Sequence, residues 1–289
     1  MHSWDRKKIL ELLFQSAAFA LEIKKDPGTI AKDDKSAVTL ADGKIEEFLT
    51  RELSETACPL VGEETSPRKG ADFLRNALKG DCWIVDPIDG TANFAAGYDV
   101  WAISIGFARR GVIEEGAVYL PEKGEILMTD GEEVLYGKVQ NPASSMDMEK
   151  ALRELSPPEK EYKVFSMLNL SQGLCRKAEI SLPNPVLAVG SCVVAGVTLM
   201  KGMDLAYLTN AKLWDLAGLL PAMKRLGIHS AALNPDKKGD MQITSCRILP
   251  EYYKMDFSAK DAFALLGTVI LTGDEKTIDL LRQKVNMPE

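Results

Sequence analysis

At 289 residues the chain exceeds the roughly 100–200 of a typical domain, so two lobes or one large layered fold are both open. Hydrophobic residues at 46% and charged residues at 27% give an ordinary globular balance and exclude collagen-like and disordered classes. Acids outnumber bases 42 to 35, a formal charge of −7, which argues against nucleic acid or an anionic membrane as the main partner.

From Trp4 to Lys25 apolar positions recur at helical spacing (Ile9, Leu13, Ala17, Ala20, Leu21) and predict a long amphipathic helix. Pro27, Gly28 and the cluster Lys32–Lys35 break the pattern. Thr39 followed three residues later by Asp42 then marks the start of a second helix running to about Leu53. Cys82–Val85 is a short apolar run suited to a buried strand that stops at Asp86-Pro87, where proline disfavours further pairing. Between Trp101 and Tyr136, β-rich segments alternate with turns at Arg110-Gly111 and Glu122–Gly124, an antiparallel meander.

The Pro-, Ser- and charge-rich stretch 141–158 suggests a lobe boundary, giving an N-terminal α+β lobe over 1–143 and a C-terminal α/β lobe over 144–289. The second lobe reads as a strand at Tyr162–Met167, a helix, a strand at Val186–Val189, helices around Val193–Met200 and Leu216–Leu226, and a closing strand and helix. Pro221 either kinks the second of those helices or marks its late start. The opening MHSWDRKKILELLF turns polar every few residues and no run of 18 apolar residues occurs, so a cytoplasmic protein without leader or span is expected.

Five scattered cysteines, never in a C-x-x-C pair, indicate neither a disulfide framework nor a zinc site. Only His2 and His229 are present, which removes Ser-His triads and multi-His metal sites from consideration. The chemistry is carried by carboxylates. Asp86-Pro87-Ile88-Asp89-Gly90-Thr91 sets two acids three residues apart at a strand end, with a glycine that frees the backbone to turn. Such a turn can aim both acids and a main-chain carbonyl at one point, as a hard divalent cation such as Mg2+ requires. A helix opening at Thr91 would present free N–H groups to a phosphate. Taken alone the segment is equally a surface turn. Gly62-Glu63-Glu64-Thr65 adds another acidic pair and Trp214-Asp215 an acid at a helix start, each by itself as consistent with a solvated surface or a cap.

In order and spacing, GEET at Gly62–Thr65, WIVDPIDGTANF at Trp83–Phe94, GSC at Gly190–Cys192 and WDLAG at Trp214–Gly218 resemble the inositol monophosphatase family over nearly the whole chain. The D-P-I-D-G-T string followed by a distant W-D is the specific part of the match. The resemblance implies an α/β fold, an αβαβα sandwich with an N-terminal antiparallel-sheet lobe, a C-terminal α/β lobe and metals in the cleft between them. It implies that Glu63, Asp86 and the carbonyl of Ile88 bind one Mg2+, that Asp86, Asp89 and Asp215 bind a second, and that Glu64 serves a weaker third or stands behind the others. It implies that substrate phosphate lies against the Gly90-Thr91 amides, and that Thr91, supported by Asp42, acts with Glu63 on the attacking water. Gly190, Ser191 and Cys192 would line the sugar side of the pocket with Asp89 and Asp215, and Lys32 would stand on a loop near the metals. The activity implied is Mg2+-dependent, Li+-sensitive hydrolysis of a small phosphomonoester by a metal-activated water, without a covalent intermediate, in a homodimer.

This chain departs from the family pattern at three places. Ala92 stands where a second Thr is frequent, Tyr207–Leu213 lacks the Glu that inositol-specific members carry there, and Lys224–Ile228 replaces a Glu-Ala-Gly-Gly end. The acids therefore point to the reaction, while an inositol phosphate, a sugar phosphate, fructose 1,6-bisphosphate, histidinol phosphate and 3′-phosphoadenosine 5′-phosphate all remain open as substrates. A regulatory binding protein using the same fold is the competing class, disfavoured because Glu63, Asp86, Asp89, Thr91 and Asp215 are all present. A haloacid-dehalogenase-type phosphatase is excluded by the D-x-x-D spacing, since that family needs D-x-D.

Overall fold

The computed structural model describes residues 4–24, 30–31, 37–38, 40–158, 165–235 and 240–287. The first helix, α1 (Arg6–Ile23), starts at Asp5, whose carboxylate accepts from the Lys8 N–H. Of the apolar positions that the helical spacing picks out, Ile9, Leu13, Ala17 and Ala20 are buried, with Leu10 beside them, whereas Leu21, near the helix end, is exposed. A short hairpin follows, β1 (Ile30–Ala31) and β2 (Ala37–Val38), then α2 (Leu40–Leu53). Thr39, expected to start that helix, lies outside the described residues, as does Lys32.

The central sheet has seven strands: β3 (Leu60–Gly62), β4 (Cys82–Asp89), β5 (Ala102–Arg109), β6 (Val112–Leu120), β7 (Glu125–Asp130), β8 (Glu133–Lys138) and β9 (Arg153–Glu154), in that spatial order. All neighbours are antiparallel except β3 and β4, which are parallel and joined through α3 (Ala71–Lys79). The expected meander is therefore present. The expected strand end at Asp86 is corrected, because β4 runs on to Asp89. Proline is accommodated by an irregularity: Asp86 pairs with Ser104 but Asp89 pairs with Ala102, so one extra residue of β4 bulges out around Pro87-Ile88.

After α4 (Thr91–Ala95) and α5 (Ser145–Ala151), a second sheet is built from β10 (Met167–Leu170), β12 (Val186–Leu187), β13 (Asp204–Thr209), β14 (His229–Ala232) and β15 (Val269–Thr272), in the order β12-β10-β13-β15-β14. β11 (Glu179–Ile180) pairs separately with β16 (Val285–Asn286). The strand expected at Tyr162–Met167 begins only at Met167, residues 162–164 lying outside the described set. The helix expected over Leu216–Leu226 is two short helices, α8 (Leu213–Ala217) and α9 (Leu220–Arg225), because Pro221 sits in the first turn of the second, where its missing N–H costs nothing.

Three apolar clusters define the layers. α1 and α2 cover one face of the seven-stranded sheet through Leu13, Leu49, Trp83, Ile103 and Ile105. Its other face packs through Ile84, Ala102 and Val118 on α7 (Cys192–Met200), α8 and α9, which the five-stranded sheet closes with Tyr207, Val269 and Leu271. That sheet's outer face, with Leu168, Leu208 and Ile270, is covered by the last helix, Lys276–Lys284, through Ile278 and Leu281. The order helix, sheet, helix, sheet, helix is the expected αβαβα sandwich. No helix among the described residues is long and apolar enough to cross a membrane.

Candidate metal centre

The site is assembled where β4 bulges. In a regular strand, residues three apart point to opposite faces. The extra residue between Asp86 and Asp89 undoes that alternation, and both carboxylates meet Asp215 of α8, with one oxygen from each acid within 4.8 Å of the others. Among the described residues this is the one group of three or more metal-capable side chains so close together.

Asp215 arrives by a separate route. α8 is laid on the sheet at glycines: a Cβ at Gly106 would come within 2.8 Å of Ala217, and one at Gly116 within 2.5 Å of the Gly218 carbonyl. Ser104, the partner of Asp86 across the β4–β5 ladder, fixes the helix by accepting from the Gly218 N–H at 3.2 Å and donating to the Trp214 carbonyl at 3.3 Å. The Lys212 N–H donates to Asp215 Oδ2 at 2.8 Å, closing the first turn.

Glu63 follows β3 one step beyond the Gly62↔Val85 pair and lines the same cleft of about 330 Å3 as Asp89, Asp215, Gly190, Ser191 and Cys192. Its carboxylate is 3.4 Å from the Lys212 ammonium. Glu64 donates its N–H to Glu46 Oε2 at 2.8 Å, and Thr65 donates to Glu46 Oε1 at 2.9 Å. Glu46 is fully buried on α2, directly against Gly62, where a Cβ would collide with its carboxylate. Burial holds the Glu46 carboxyl above its ordinary range, against the pull of those hydrogen bonds.

Asp89 is docked on the first turn of α7. It accepts from the Cys192 N–H at 3.0 Å, the Val193 N–H at 2.9 Å and the Ser191 hydroxyl, while Ser191 Oγ also accepts from the Val194 N–H and caps the helix. Burial pushes the Asp89 carboxyl up to about 6, moderated by those donors. Asp215, with a weaker set of donors, is pushed up to about 8 by burial and by Glu63 and Asp89. Asp86 is driven well above the carboxylate range by burial, then by Glu63, Asp89, Asp215 and Asp42. Asp42 is itself buried, on the same face of α2 as Glu46.

Gly90 adopts φ of +90°, the left-handed region, and a Cβ there would approach the Val100 carbonyl at 3.0 Å and Ser191 Cβ at 3.2 Å. The turn delivers α4, whose first N–H groups have no acceptor within the helix. The Thr91 hydroxyl donates to the Ile88 carbonyl at 3.0 Å. Asn93 donates to the Val100 and Val189 carbonyls, both at 2.8 Å, and so ties this turn to the loop before Gly190.

The residue set fits divalent metal. Two buried carboxylates, Asp86 and Asp89, and the half-buried Asp215 repel one another at one point, and Asp86 Oδ1 is buried without a hydrogen-bond partner among the described residues. Such an array is costly unless a cation neutralises it. Of the sequence-derived residues, Glu63, Asp86, Asp89, Asp215, Gly190, Ser191 and Cys192 converge here, Gly90, Thr91 and Ile88 form the adjoining turn, and Glu64 flanks it. Glu46, Ser104 and Asn93 were not anticipated. Glu46 had a signal, an acid four residues after Asp42 on the apolar face of an amphipathic helix; Ser104 and Asn93 had none.

A sequence profile described as the inositol monophosphatase family matches residues 4–242. The chain is 27% identical over 222 residues to inositol monophosphatase 1 of Xenopus laevis, covering 73% of this chain and 74% of that one. It is 29% identical over 191 residues to the Homo sapiens protein of the same name, covering 63% and 65%. In three dimensions it is similar to a crystal structure of IMPase/NADP phosphatase complexed with Mg2+ and phosphate, with a TM-score of 0.66, 18% identity, and coverage of 93% of this chain and 91% of that one. The chain belongs to the inositol monophosphatase family and is a phosphoric monoester hydrolase.

Proposed function

We propose that the chain hydrolyses a small phosphomonoester, an inositol phosphate or a sugar phosphate, at the acid cluster, with Mg2+ as its cofactor. The observation that carries this reading is the buried Asp86 Oδ1, without a hydrogen-bond partner among the described residues, inside a group of three carboxylates spanning no more than 4.8 Å. The neighbour of the same fold complexed with Mg2+ and phosphate supports the choice of metal and ligand.

In this proposal Glu63, Asp86 and the Ile88 carbonyl would hold one Mg2+, Asp86, Asp89 and Asp215 would hold a second, and Glu64 would stand by a third. Bound there, Mg2+ would lower the pKa of a water, neutralise phosphate charge and steady the departing oxygen. The protein's own part is positional. The first-turn N–H groups of α4 at Gly90-Thr91 receive phosphate oxygens, and the Thr91 hydroxyl, backed by Asp42, orients the attacking water with Glu63. Gly190, Ser191 and Cys192 form the wall facing the alcohol, and Lys32, outside the described residues, keeps the substrate-binding part that the family resemblance gives it. Hydrolysis then needs no covalent phosphoenzyme. A homodimer in the cytoplasm completes the proposal, with light scattering as the check on assembly.

The test is phosphate release with Mg2+, with and without chelator and Li+, from inositol 1-phosphate, fructose 1,6-bisphosphate, histidinol phosphate and 3′-phosphoadenosine 5′-phosphate. Release that requires Mg2+, falls with Li+ and drops at least about 100-fold in Asp86→Asn is expected. Silence on all four substrates would sink the reading.

A further inference from the structure

The phosphomonoesterase reading leaves one charged side chain of the cleft without a role. Among the described residues lining it, the acids are Glu63, Asp89 and Asp215, all assigned above to metal, and the one cation is Lys212. The wall around that cation, Ser171, Gln172, Asn210 and the backbone of Gly190, is neutral. Ser171 donates to Asn210 Oδ1 at 2.8 Å, so part of this wall is braced before anything binds.

The two halves of Lys212 do different work. Its backbone N–H closes the turn on Asp215, which any residue but proline could do. Its ammonium reaches back over the Trp214 ring, 5.1 Å from the centroid, to a single long contact with Glu63 Oε1 at 3.4 Å. The side chain is 35% exposed, at the mouth of the cleft. A carboxylate engaged by a divalent ion has little charge left for an ammonium, and the ion repels that ammonium directly. Metal on Glu63 and on Asp215, the other acid whose charge the ammonium feels, would therefore release the ammonium from the one direct acid contact it makes among the described residues and leave it facing the neutral wall. With Glu63, Asp89 and Asp215 compensated by metal, Lys212 would be the one uncompensated charge among the described residues lining the cleft.

We propose that Lys212 is a specificity-determining residue that binds an anionic substituent on the alcohol from which phosphate is cut, so that the preferred substrates carry a carboxylate or a second phosphate. This rests on the phosphomonoesterase reading and deepens it by naming the class of leaving group. Recognition by one mobile ammonium gives a point charge rather than a bidentate fork, so an anion on a short, flexible alcohol suits it better than a rigid planar group.

The test compares substrates that differ only in that substituent. Values of kcat/KM with Mg2+ are measured for 3-phosphoglycerate against glycerol 3-phosphate, the carboxylate arm, and for fructose 1,6-bisphosphate against fructose 1-phosphate, the second-phosphate arm. The native protein is expected to favour the anionic member of at least one pair, and the arm that responds identifies the anion. In Lys212→Met that ratio should fall by about tenfold or more, as for loss of a hydrogen bond to a charged group, while Lys212→Arg keeps most of it. Calorimetric titration of 3-phosphonopropionate against 3-hydroxypropylphosphonate reads the same preference without turnover, and the Met variant should lose it. A ratio that does not move in Lys212→Met, or an equal slowing of both members of each pair, overturns the proposal while leaving the phosphatase reading intact. If the native protein releases phosphate from none of these substrates, the phosphatase reading falls and takes the proposal with it.

Discussion

Two backbone N–H groups, those of Glu64 and Thr65, end on the buried carboxylate of Glu46, so this one side chain shapes the turn that presents Glu63. Removing it takes the shared acceptor away from both part-buried donors. Glu46→Ala should lower unfolding free energy by about 1–3 kcal/mol, measured by urea denaturation, and weaken Mg2+ dependence of turnover as Glu63 loses its bearing. An unchanged midpoint would show that the turn holds itself. Titration offers a second check. Asp89 at about 6 and Asp215 at about 8 lie above their unfolded values, so the native state holds protons that the unfolded chain has already released. Their contribution is fully present below about pH 4 and is lost as pH rises through those values. Chelator-treated protein should therefore melt at a lower temperature at pH 8 than at pH 5, with the slope reduced in Asp215→Asn; a flat or rising profile would contradict it. Asp86 and Asp89 stand out in the sequence because a hard cation wants acids at such a spacing, whereas Glu63 and Asp215 are singled out only by the family resemblance; the structure groups Asp86, Asp89 and Asp215. Glu46, Ser104 and Lys212 were not legible, because a carboxylate under a turn, a hydroxyl between strand and helix and a cation over an acid are ordinary residues until the chain folds.

β4 and α8 are the elements that matter, and each works through a departure from regularity. A single extra residue around Pro87-Ile88 brings two acids to one point, and three close-packed glycines, Gly106, Gly116 and Gly218, let α8 lie against β5 and β6. Gly116→Ala should push α8 off the sheet, because its Cβ would meet the Gly218 carbonyl at 2.5 Å. Overpacking of this kind costs about 1–3 kcal/mol. The expected signature is a drop in kcat/KM out of proportion to that loss, since the displaced helix carries Asp215; activity falling only as the folded fraction falls would refute it. From the sequence, proline reads as a strand end, whereas the pairing on both sides of it overrides that local preference. β13 (DLAYLT) and β14 (HSAA) escaped notice for a similar reason. Neither alternates, being buried on both faces or too short, and the sheet rather than local propensity makes them strands. The helices were easier, because α1 and α2 carry a stripe of period 3.6 that survives without context.

At the scale of the whole molecule, the clustered acids come from segments on both sides of one helix–sheet interface, so a cation bound there would hold layers together as well as residues. Mg2+ at about 100 times its dissociation constant should raise unfolding free energy by about 2.7 kcal/mol, seen as a higher melting temperature that chelator reverses. Apolar patterns gave the first helices, the meander and the α/β character of the second half, and the family resemblance gave the αβαβα layering; the pairing order of the second sheet was not legible, because it is set by contacts between distant segments. That distance has a further consequence. Glu63 and Lys212 stand 149 residues apart, and Ser104 reaches across 114 residues to hold the end of α8. During synthesis β4 and β5 leave the ribosome long before α8 exists, with Asp86 and Asp89 already made and nothing to complete their site. A cation at these acids could not guide early folding of the nascent chain; it would reward only the finished one, and a truncated product should escape that reward entirely.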